Sequence, residues 1–309
     1  MLTRNVRILN FDGSVKSQEK LIARFHPEIL ELEDLGPKAR LWMSKETQNL
    51  IYKRIESSSS EQVTFLGSGD FHHLSSLLIN QIKEPISLIV FDFHPDWDIL
   101  PPRLGCGSWV TQALRNKLVR KALLIGVSSE DISFPGIQSA NLGSLKDERL
   151  EIYPYAHHST TVFLRRVPEN KSLKLEKRLL STKIIWDELK DHNLEDFILA
   201  QISNLPTKKV YVSIDKDCLK SDFALTNWEE GKLSLDQLLI MLKIIKEKLD
   251  IVGLDITGDY SKISIPGIIK GAISRLDHPK EVKADKFPQD LINSTNESTN
   301  LKILELLNS

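Results

Sequence analysis

Three potential metal ligands follow directly after a run of apolar residues. Residues 86–91 read Ile-Ser-Leu-Ile-Val-Phe, which predicts a buried strand, and Asp92, His94 and Asp96 come immediately after it. Because alternate residues of an extended segment point to the same side, these three side chains can converge on one point. Carboxylate oxygens and imidazole nitrogens are ligands of divalent cations. The segment therefore predicts a metal site at the carboxyl end of a strand, where parallel α/β sheets place their chemistry.

A second strand end carries two further carboxylates. Residues 210–214 form another short apolar run, and Asp215 and Asp217 follow with the same alternate spacing. Acidic residues at a strand end often only cap a turn or a helix, so either segment alone is ambiguous. Crowded carboxylates repel one another unless a cation lies between them, and neither segment contains a cysteine for a structural zinc site. Together the two segments predict one shared metal site.

The motifs and their order resemble the ureohydrolases, the family of arginase, agmatinase and formimidoylglutamase. That family has the signatures Gly-Gly-Asp-His, Asp-Ala-His-x-Asp and Ser-x-Asp-x-Asp. The corresponding segments here are Gly67-Ser-Gly-Asp-Phe-His72, Asp92-Phe-His-Pro-Asp96 and Ser213-Ile-Asp-Lys-Asp217. The resemblance spans about residues 60–260. Within it, the chain is more similar to a divergent branch of the family than to arginase itself.

The resemblance implies two divalent ions, expected to be manganese, and six ligands. Those ligands are His72, Asp92, His94, Asp96, Asp215 and Asp217. Asp92 and Asp215 match the positions that bridge the ions in the family, which also makes them catalytic candidates. A water shared by two cations has a lowered pKa and can attack an unreactive carbon as hydroxide. Asp92 and Asp215 would hold the two ions at that shared water.

Two departures from the family pattern affect the expected roles. The inserted Phe71 leaves both His72 and His73 within reach as the first ligand, and we favour His72. Cys106 stands where arginases carry a histidine thought to shuttle protons. A thiol near a metal can act as nucleophile or acid, and a small cysteine can equally be a packing choice. Both roles stay open for Cys106.

The substrate-recognition segments also differ from arginase. The loop after the third motif lacks the expected Pro-Gly-rich stretch, and Asn227 and Trp228 are its candidates for contacting substrate. In the later strand, Gly258 falls where the family has a guanidinium-binding glutamate. Asp255 and Asp259, near the end of that strand, are the alternative substrate-binding candidates. Arginine itself is therefore only weakly supported as the substrate.

Composition narrows the class of protein. The 309 residues contain 41 Lys plus Arg and 42 Asp plus Glu, so the balance predicts neither a nucleic acid nor an anionic membrane as partner. Two cysteines are too few for a disulfide framework. The first residues show no apolar signal region, and no stretch approaches a membrane span. We expect a cytoplasmic protein with a small-molecule substrate, and the resemblance implies a homo-oligomer.

Short apolar runs alternate with amphipathic stretches, which predicts an α/β fold with a mainly parallel sheet and helices on both faces. The resemblance makes this the three-layer arginase-like fold. Predicted strands cover residues 6–9, 63–66, 88–91, 122–125, 184–186, 210–214 and 251–256. A helix is predicted over residues 234–248, with Ser234 as its N-cap, and a loop over residues 57–60. Residues 1–275 are expected to form the catalytic domain, and residues 276–309 a polar connector and a final helix at 301–307.

Three functions are compatible with these residues. The leading hypothesis is a binuclear metal hydrolase that cleaves a linear carbon–nitrogen bond of guanidino or formimino type. A metal-dependent amidase or deacetylase is the alternative enzyme, because related α/β folds support more than one chemistry. A metal-binding family member without catalysis is the third. Asp70 is expected to fix the turn of the first motif, Asp98 to be peripheral, and His157 and His158 to be exposed.

Overall fold

Alternating strands and helices fold into a three-layer α/β structure. The computed structural model describes residues 5–55, 62–163, 166–262, 270 and 282–309. The strands are β1 (Asn5–Asn10), β2 (Glu28–Glu31), β3 (Gln62–Gly67), β4 (Ile86–Phe91), β5 (Val119–Ile125), β6 (Leu150–Tyr153), β7 (Thr160–Phe163), β8 (Leu173–Lys177), β9 (Ser181–Trp186), β10 (Lys209–Asp215) and β11 (Asp250–Thr257). The helices are α1 (Glu19–Phe25), α2 (Gly36–Ala39), α3 (Lys45–Ile55), α4 (Ser75–Ile79), α5 (Trp109–Arg115), α6 (Leu142–Lys146), α7 (Leu194–Ser203), α8 (Leu235–Lys248) and α9 (Gln289–Asn308).

The main sheet has eight parallel strands in the order β2-β1-β3-β11-β10-β4-β5-β6. In the sheet, β3 and β4 are not neighbours. The two later strands β11 and β10 lie between them. As a result, the motif that follows β3, the motif that follows β4 and the motif at the end of β10 reach the same edge of the sheet. This topology brings together segments that are far apart in the sequence.

Helices cover both faces of the sheet. Along β4, Leu88 and Val90 belong to one apolar core, while Ile89 and Phe91 belong to the other. Residues of α2 to α6 pack into the first core, and residues of α1, α7, α8 and α9 pack into the second. A strand buried on both faces is apolar at nearly every position, which is why the β4 segment is a run of apolar residues with Ser87 as its one polar member. The predicted three-layer fold is confirmed.

A small antiparallel sheet stands apart from the main one. It has the order β7-β9-β8, so the predicted strand at residues 184–186 lies here and not in the parallel sheet. The sequence prediction missed β2, β6, β7 and β8. These strands are at an edge of the main sheet or in the small sheet. Partly exposed residues interrupt the apolar pattern in β2, β7 and β8, and the buried Glu151 interrupts it in β6. The predicted loop at residues 57–60 lies outside the described residues.

The final helix is longer than predicted. It begins at Gln289, whereas the sequence pattern placed its start at residue 301. Its polar first half is partly buried, because Glu297 accepts hydrogen bonds from the backbone of α1 and Asn296 bonds the backbone of Leu225 in both directions. Apolar periodicity cannot detect a helix that is docked through hydrogen bonds. In the described part of the chain, no helix combines the length and apolar character needed to cross a membrane.

Helix α8 begins at the predicted N-cap Ser234, which forms a capping box with Gln237. The Ser234 hydroxyl accepts a hydrogen bond from the backbone N–H of Gln237 (3.2 Å), and the Gln237 side chain accepts one from the backbone N–H of Ser234 (2.9 Å). Two N–H groups that have no partner within the helix are thereby satisfied. The cap fixes the start of the helix that leads into β11.

We expect Ser234→Ala to lower the free energy of unfolding by about 1 kcal/mol, because the cap hydrogen bond is lost. Urea unfolding monitored by circular dichroism measures the change. Ser203→Ala is the control, since the exposed Ser203 hydroxyl only donates to a carbonyl of its own helix. Equal effects of the two substitutions would contradict the capping role.

Candidate metal centre

Segments at the ends of three strands of the main sheet build the site. Asp92 directly follows β4, and Asp215 is the last residue of β10, the neighbouring strand. His72 comes from the 3-10 helix Gly69–Leu74, which follows β3. Parallel strands present their carboxyl ends at one edge of a sheet, so these side chains meet there.

Three carboxylates surround one ring nitrogen of His72. Its Nδ1 lies 3.2 Å from Asp92 Oδ2, 3.4 Å from Asp96 Oδ2 and 3.4 Å from Asp215 Oδ2. All four residues are buried. The spacing places four ligand atoms around one small volume.

A second group of ligands surrounds His94. Its Nδ1 lies 3.0 Å from Asp217 Oδ2 and 3.9 Å from Asp92 Oδ1. The ligand atoms of Asp92, His94 and Asp217 lie within 4.8 Å of one another, as do those of His72, Asp92 and Asp96. Asp92 belongs to both groups, one oxygen toward each. The structure thus brings together all six side chains that the sequence nominated as ligands.

Electrostatics at this site favour a positive charge. Burial and the neighbouring Asp217 raise the pKa of Asp215 to about 8. Burial, Asp96 and Asp217 also raise the pKa of Asp92. Burial alone would lower the pKa of His72, but the carboxylates at its Nδ1 raise it well above its ordinary value. A proton there is stabilised by the same negative charges that would stabilise a divalent cation.

An unsatisfied oxygen supports the same interpretation. When the His72 ring carries its proton on Nε2 alone, Asp92 Oδ2 is buried and accepts no hydrogen bond from the described residues. A buried carboxylate oxygen without a partner is costly, and metal coordination satisfies it. Two imidazoles and four carboxylates are a donor set suited to divalent manganese and its neighbours. The residues present therefore fit a pair of divalent cations.

A chain of hydrogen bonds sets the tautomer of His72. Tyr211 and Ser213 both donate to the Asp255 carboxylate, each at 2.6 Å. Because the Ser213 hydroxyl donates to Asp255, it accepts from His72 Nε2 at 2.8 Å. The ring proton therefore sits on Nε2, which leaves the Nδ1 lone pair facing the carboxylates, the form that binds a metal.

The role predicted for Asp255 needs correction. Asp255 was expected to bind substrate, but its side chain is fully buried behind His72 and does not line the cavity at the site. Its two oxygens are occupied by Tyr211 and Ser213. The structure thus places Asp255 behind the candidate ligand His72, which it contacts through Ser213, and not at the cavity wall.

Asp259 is also misassigned by the sequence prediction. Its Oδ1 accepts hydrogen bonds from Lys216 Nζ at 2.8 Å, from Gln18 at 2.7 Å and from Asn300 at 3.2 Å. Both Lys216 and Asp259 are buried, and neither lines the cavity. Asp259 pairs with the buried Lys216, which favours a structural role.

Gly258 explains why no glutamate stands at this position. Its φ of +88° lies in the left-handed region, and a Cβ added there would lie 2.5 Å from Asp215 Oδ1. The residue must be small and conformationally free so that the end of β11 can pass beside the metal site. Asp96 is a second residue of the site with a positive φ. Its value of +45° is strained for a residue other than glycine.

Asn227 fastens the loop after the third motif and does not face the cavity. Its Oδ1 accepts from Ser68 Oγ at 2.9 Å and from the Ser261 backbone at 3.0 Å, and its Nδ2 donates to Ser261 O at 2.8 Å. The predicted substrate contact by Asn227 is therefore corrected to a positioning role. Trp228, the next residue, does line the cavity.

A cavity of about 650 Å³ opens onto the six proposed ligands. Trp228 and Cys106 line it, so both occupy places where substrate can reach them. Glu229 also lines it, with Oε2 at 3.3 Å from His94 Nε2. The sequence prediction did not select Glu229; its only signal was its place in the loop beside Trp228. The catalytic role of Cys106 stays a prediction.

Asp70, His73 and His157 were not among the predicted ligands, and each is buried. Asp70 accepts hydrogen bonds from Arg40 and from the Trp228 indole, which join the first motif to two distant segments. His73 is buried beside the ligands but in neither ligand group, and burial lowers its pKa to about 3. His157 was expected to be exposed, but it is buried and hydrogen-bonds Ser133 at 2.7 Å.

Comparisons with known proteins show the family and the fold of the chain. A family model described as the arginase family matches residues 16–258. An uncharacterized protein from Thermotoga maritima is 28% identical over 263 residues, which is 84% of this chain and 81% of that protein. Among solved structures, arginase from Bacillus caldovelox has a TM-score of 0.60 at 13% identity and covers 99% of both chains. Formimidoylglutamase from Bacillus subtilis has a TM-score of 0.56 at 13% identity, over 98% of this chain and 88% of that one.

We expect Ser213→Ala to weaken manganese binding by about 10- to 100-fold, because His72 loses the partner that fixes its tautomer. Isothermal titration calorimetry of the metal-free protein with Mn²⁺ measures the affinity. Ser87→Ala is the matched control: Ser87 is an equally buried serine of the adjacent strand, bonded to Thr207. Unchanged affinity in Ser213→Ala would contradict the orienting role.

Asp259→Ala should destabilise the fold by about 3–5 kcal/mol, because it leaves the buried Lys216 ammonium without its partner carboxylate. Chemical unfolding of the variant measures this loss. The same change at the exposed Asp290 should stay within about 0.5 kcal/mol. Asp259 would be a substrate ligand after all if its removal weakened substrate binding and left stability unchanged.

Proposed function

This chain belongs to the arginase family, and we propose that it is a hydrolase that uses two divalent metal ions, manganese in the first instance, to cleave a linear carbon–nitrogen bond. One observation carries the proposal. Asp92 is shared by two groups of ligands, and its Oδ2 is buried without a hydrogen-bond partner. A carboxylate in that position is suited to bridging two cations.

The six side chains have distinct parts in this proposal. His72 and Asp96 would hold one ion, His94 and Asp217 the other, and Asp92 would serve both together with Asp215. When bound, two such ions lower the pKa of a water held between them and polarise the group under attack. This is chemistry that the protein side chains alone cannot supply.

Neighbouring residues keep the ligands in place. Trp109 Nε1 donates to Asp96 Oδ2 at 2.6 Å, and the backbone N–H of Phe93 donates to Asp217 Oδ1 at 3.1 Å. Each hydrogen bond engages one oxygen of a carboxylate and fixes the orientation of that side chain. Ligands held by the fold in this way lose little freedom when the ions bind.

The cavity wall would position the substrate. Trp228 provides an apolar surface beside His94, with ring centroids 5.4 Å apart. Cys106 lies on the same wall, where its position fits either proton transfer to the leaving nitrogen or passive packing. The homo-oligomer and the cytoplasmic location expected from the sequence remain predictions.

A second enzyme activity has a specific observation in its favour. The end of β11 presents Gly258 where related enzymes use a guanidinium-binding carboxylate, and the carboxylate of Asp259 is already paired with Lys216. Hydrolysis of an amide does not need that carboxylate. Release of acetate or another carboxylate would identify an amidase, whereas urea, ammonia or formamide would identify a guanidino or formimino hydrolase.

Purified protein should contain close to two transition-metal ions per chain, and Asp215→Asn should lose metal and reduce turnover by more than about 100-fold, because a direct ligand matters more than the residues that orient it. Elemental analysis and a product assay with manganese measure the two quantities. Asp290→Asn, an exposed change of the same kind, serves as control. Full metal occupancy with unchanged turnover in Asp215→Asn would refute the assignment.

A further inference from the structure

Another group of side chains suited to a metal ion lies at the same edge of the sheet, beyond the strands that build the candidate metal centre. Glu130 follows β5, and His157 and His158 follow β6. Because β5 and β6 are adjacent parallel strands, the segments after them reach the same place. Ligand atoms of the three residues lie within 4.8 Å of one another. The fold thus brings a carboxylate to two histidines that have none as an immediate neighbour in the sequence.

The separation of two of these ligand atoms is close to that in a zinc site. His158 Nε2 lies 3.7 Å from Glu130 Oε2. Two atoms bound to one tetrahedral zinc ion are about 3.3 Å apart, because each metal–ligand bond is about 2.0–2.1 Å long. Both side chains are exposed, so small rotations can close the difference. An ion can therefore bind between them without a change in the backbone.

His157 is the member of the group that the fold holds in place. Its side chain is buried, and its ring is hydrogen-bonded to Ser133 Oγ at 2.7 Å. Its backbone N–H donates to Glu188 Oε1 at 3.1 Å. A hydrogen bond to one ring nitrogen orients an imidazole, as the partners of metal-ligating histidines do. One ligand is thus already fixed, and the two exposed ones can adjust to it.

The two histidine rings are stacked, which favours their neutral form. The ring centroids of His157 and His158 are 4.5 Å apart, with 24° between the ring planes. Protonation of both rings would place two positive charges in contact. Burial lowers the pKa of His157, and His158 and the nearby Lys232 lower it further. A neutral imidazole keeps a lone pair on one nitrogen, which is the form that binds a metal.

We propose that Glu130, His157 and His158 form a separate metal site that takes Zn²⁺, with water in the fourth position. Two imidazoles and one carboxylate are a donor set typical of zinc, and such sites bind Mn²⁺ more weakly. A bound ion would join the segments after β5 and β6. Since Glu130 also lines the cavity, the ion would fix part of the cavity wall. None of the three residues is among the six proposed ligands, so this inference does not depend on the proposed function.

Equilibrium dialysis against Zn²⁺ in the presence of excess Mn²⁺, followed by elemental analysis, counts the ions bound. We expect the protein to take up one more zinc ion per chain than its variant His158→Ala. His158 is exposed, so its removal leaves the packing intact. The control is His192→Ala, which removes a histidine that pairs with Asp187 at 2.8 Å outside the ligand groups of the described residues. Equal zinc in the protein and in His158→Ala, or the same loss in His192→Ala, would overturn the inference.

Zinc affinity gives a second measurement. Titration of the manganese-loaded protein with Zn²⁺ should show that His158→Ala raises the Kd by more than about 100-fold, because a direct ligand matters more than a residue that orients one. Glu130→Gln should also raise the Kd, whereas Glu195→Gln, an exposed change of the same kind on α7, should not. A Kd of the unchanged protein above about 1 mM, or equal effects of the two glutamate variants, would overturn the inference.

Anomalous scattering at the zinc absorption edge locates the ion. In crystals of the manganese-loaded protein soaked with Zn²⁺, we expect a zinc peak bounded by Glu130, His157 and His158. Such a peak in a protein without hydrolase activity would support this inference and leave the proposed function to fail by itself. Hydrolase activity with no zinc peak at these three residues would overturn this inference alone.

Discussion

Mutual repulsion among buried carboxylates is the constraint on which the rest of the structure depends. Asp92, Asp96, Asp215 and Asp217 are held together at the ends of two adjacent strands, and each is at most 7% exposed. Repulsion of this kind is strong at low dielectric and is relieved only by protons or cations. The carboxylates stay together despite this repulsion because the sheet and both apolar cores fix the strand ends.

The surroundings of the site follow from the same constraint. The backbone at the end of β11 can pass beside Asp215 only because residue 258 is glycine. The carboxylate of Asp255 is placed behind His72, where it acts through Ser213 on the imidazole tautomer. A separate buried pair, Lys216 and Asp259, balances its own charge beside the ligands. Each acidic residue near the site thus has either a bonding partner or a place facing the cavity.

Much of the fold and the ligand set could be predicted from the sequence because both depend on local patterns. Apolar runs that end in alternating acidic residues indicate buried strands and converging side chains, and the three motifs selected all six residues that meet in the structure. The roles of Asp255, Asp259 and Asn227 could not be predicted, since each depends on partners far away in the chain. The polar half of α9 was missed because hydrogen bonds, and not apolar periodicity, dock it.

The central claim is that six side chains from three distant segments hold two cations that share Asp92. Anomalous X-ray scattering from crystals grown with Mn²⁺ tests it most directly. The account predicts two anomalous peaks, one between His72 and Asp96 and one between His94 and Asp217, with an oxygen of Asp92 bound to each. A single peak, peaks away from these residues, or no peak with the carboxylates paired to other side chains would contradict it.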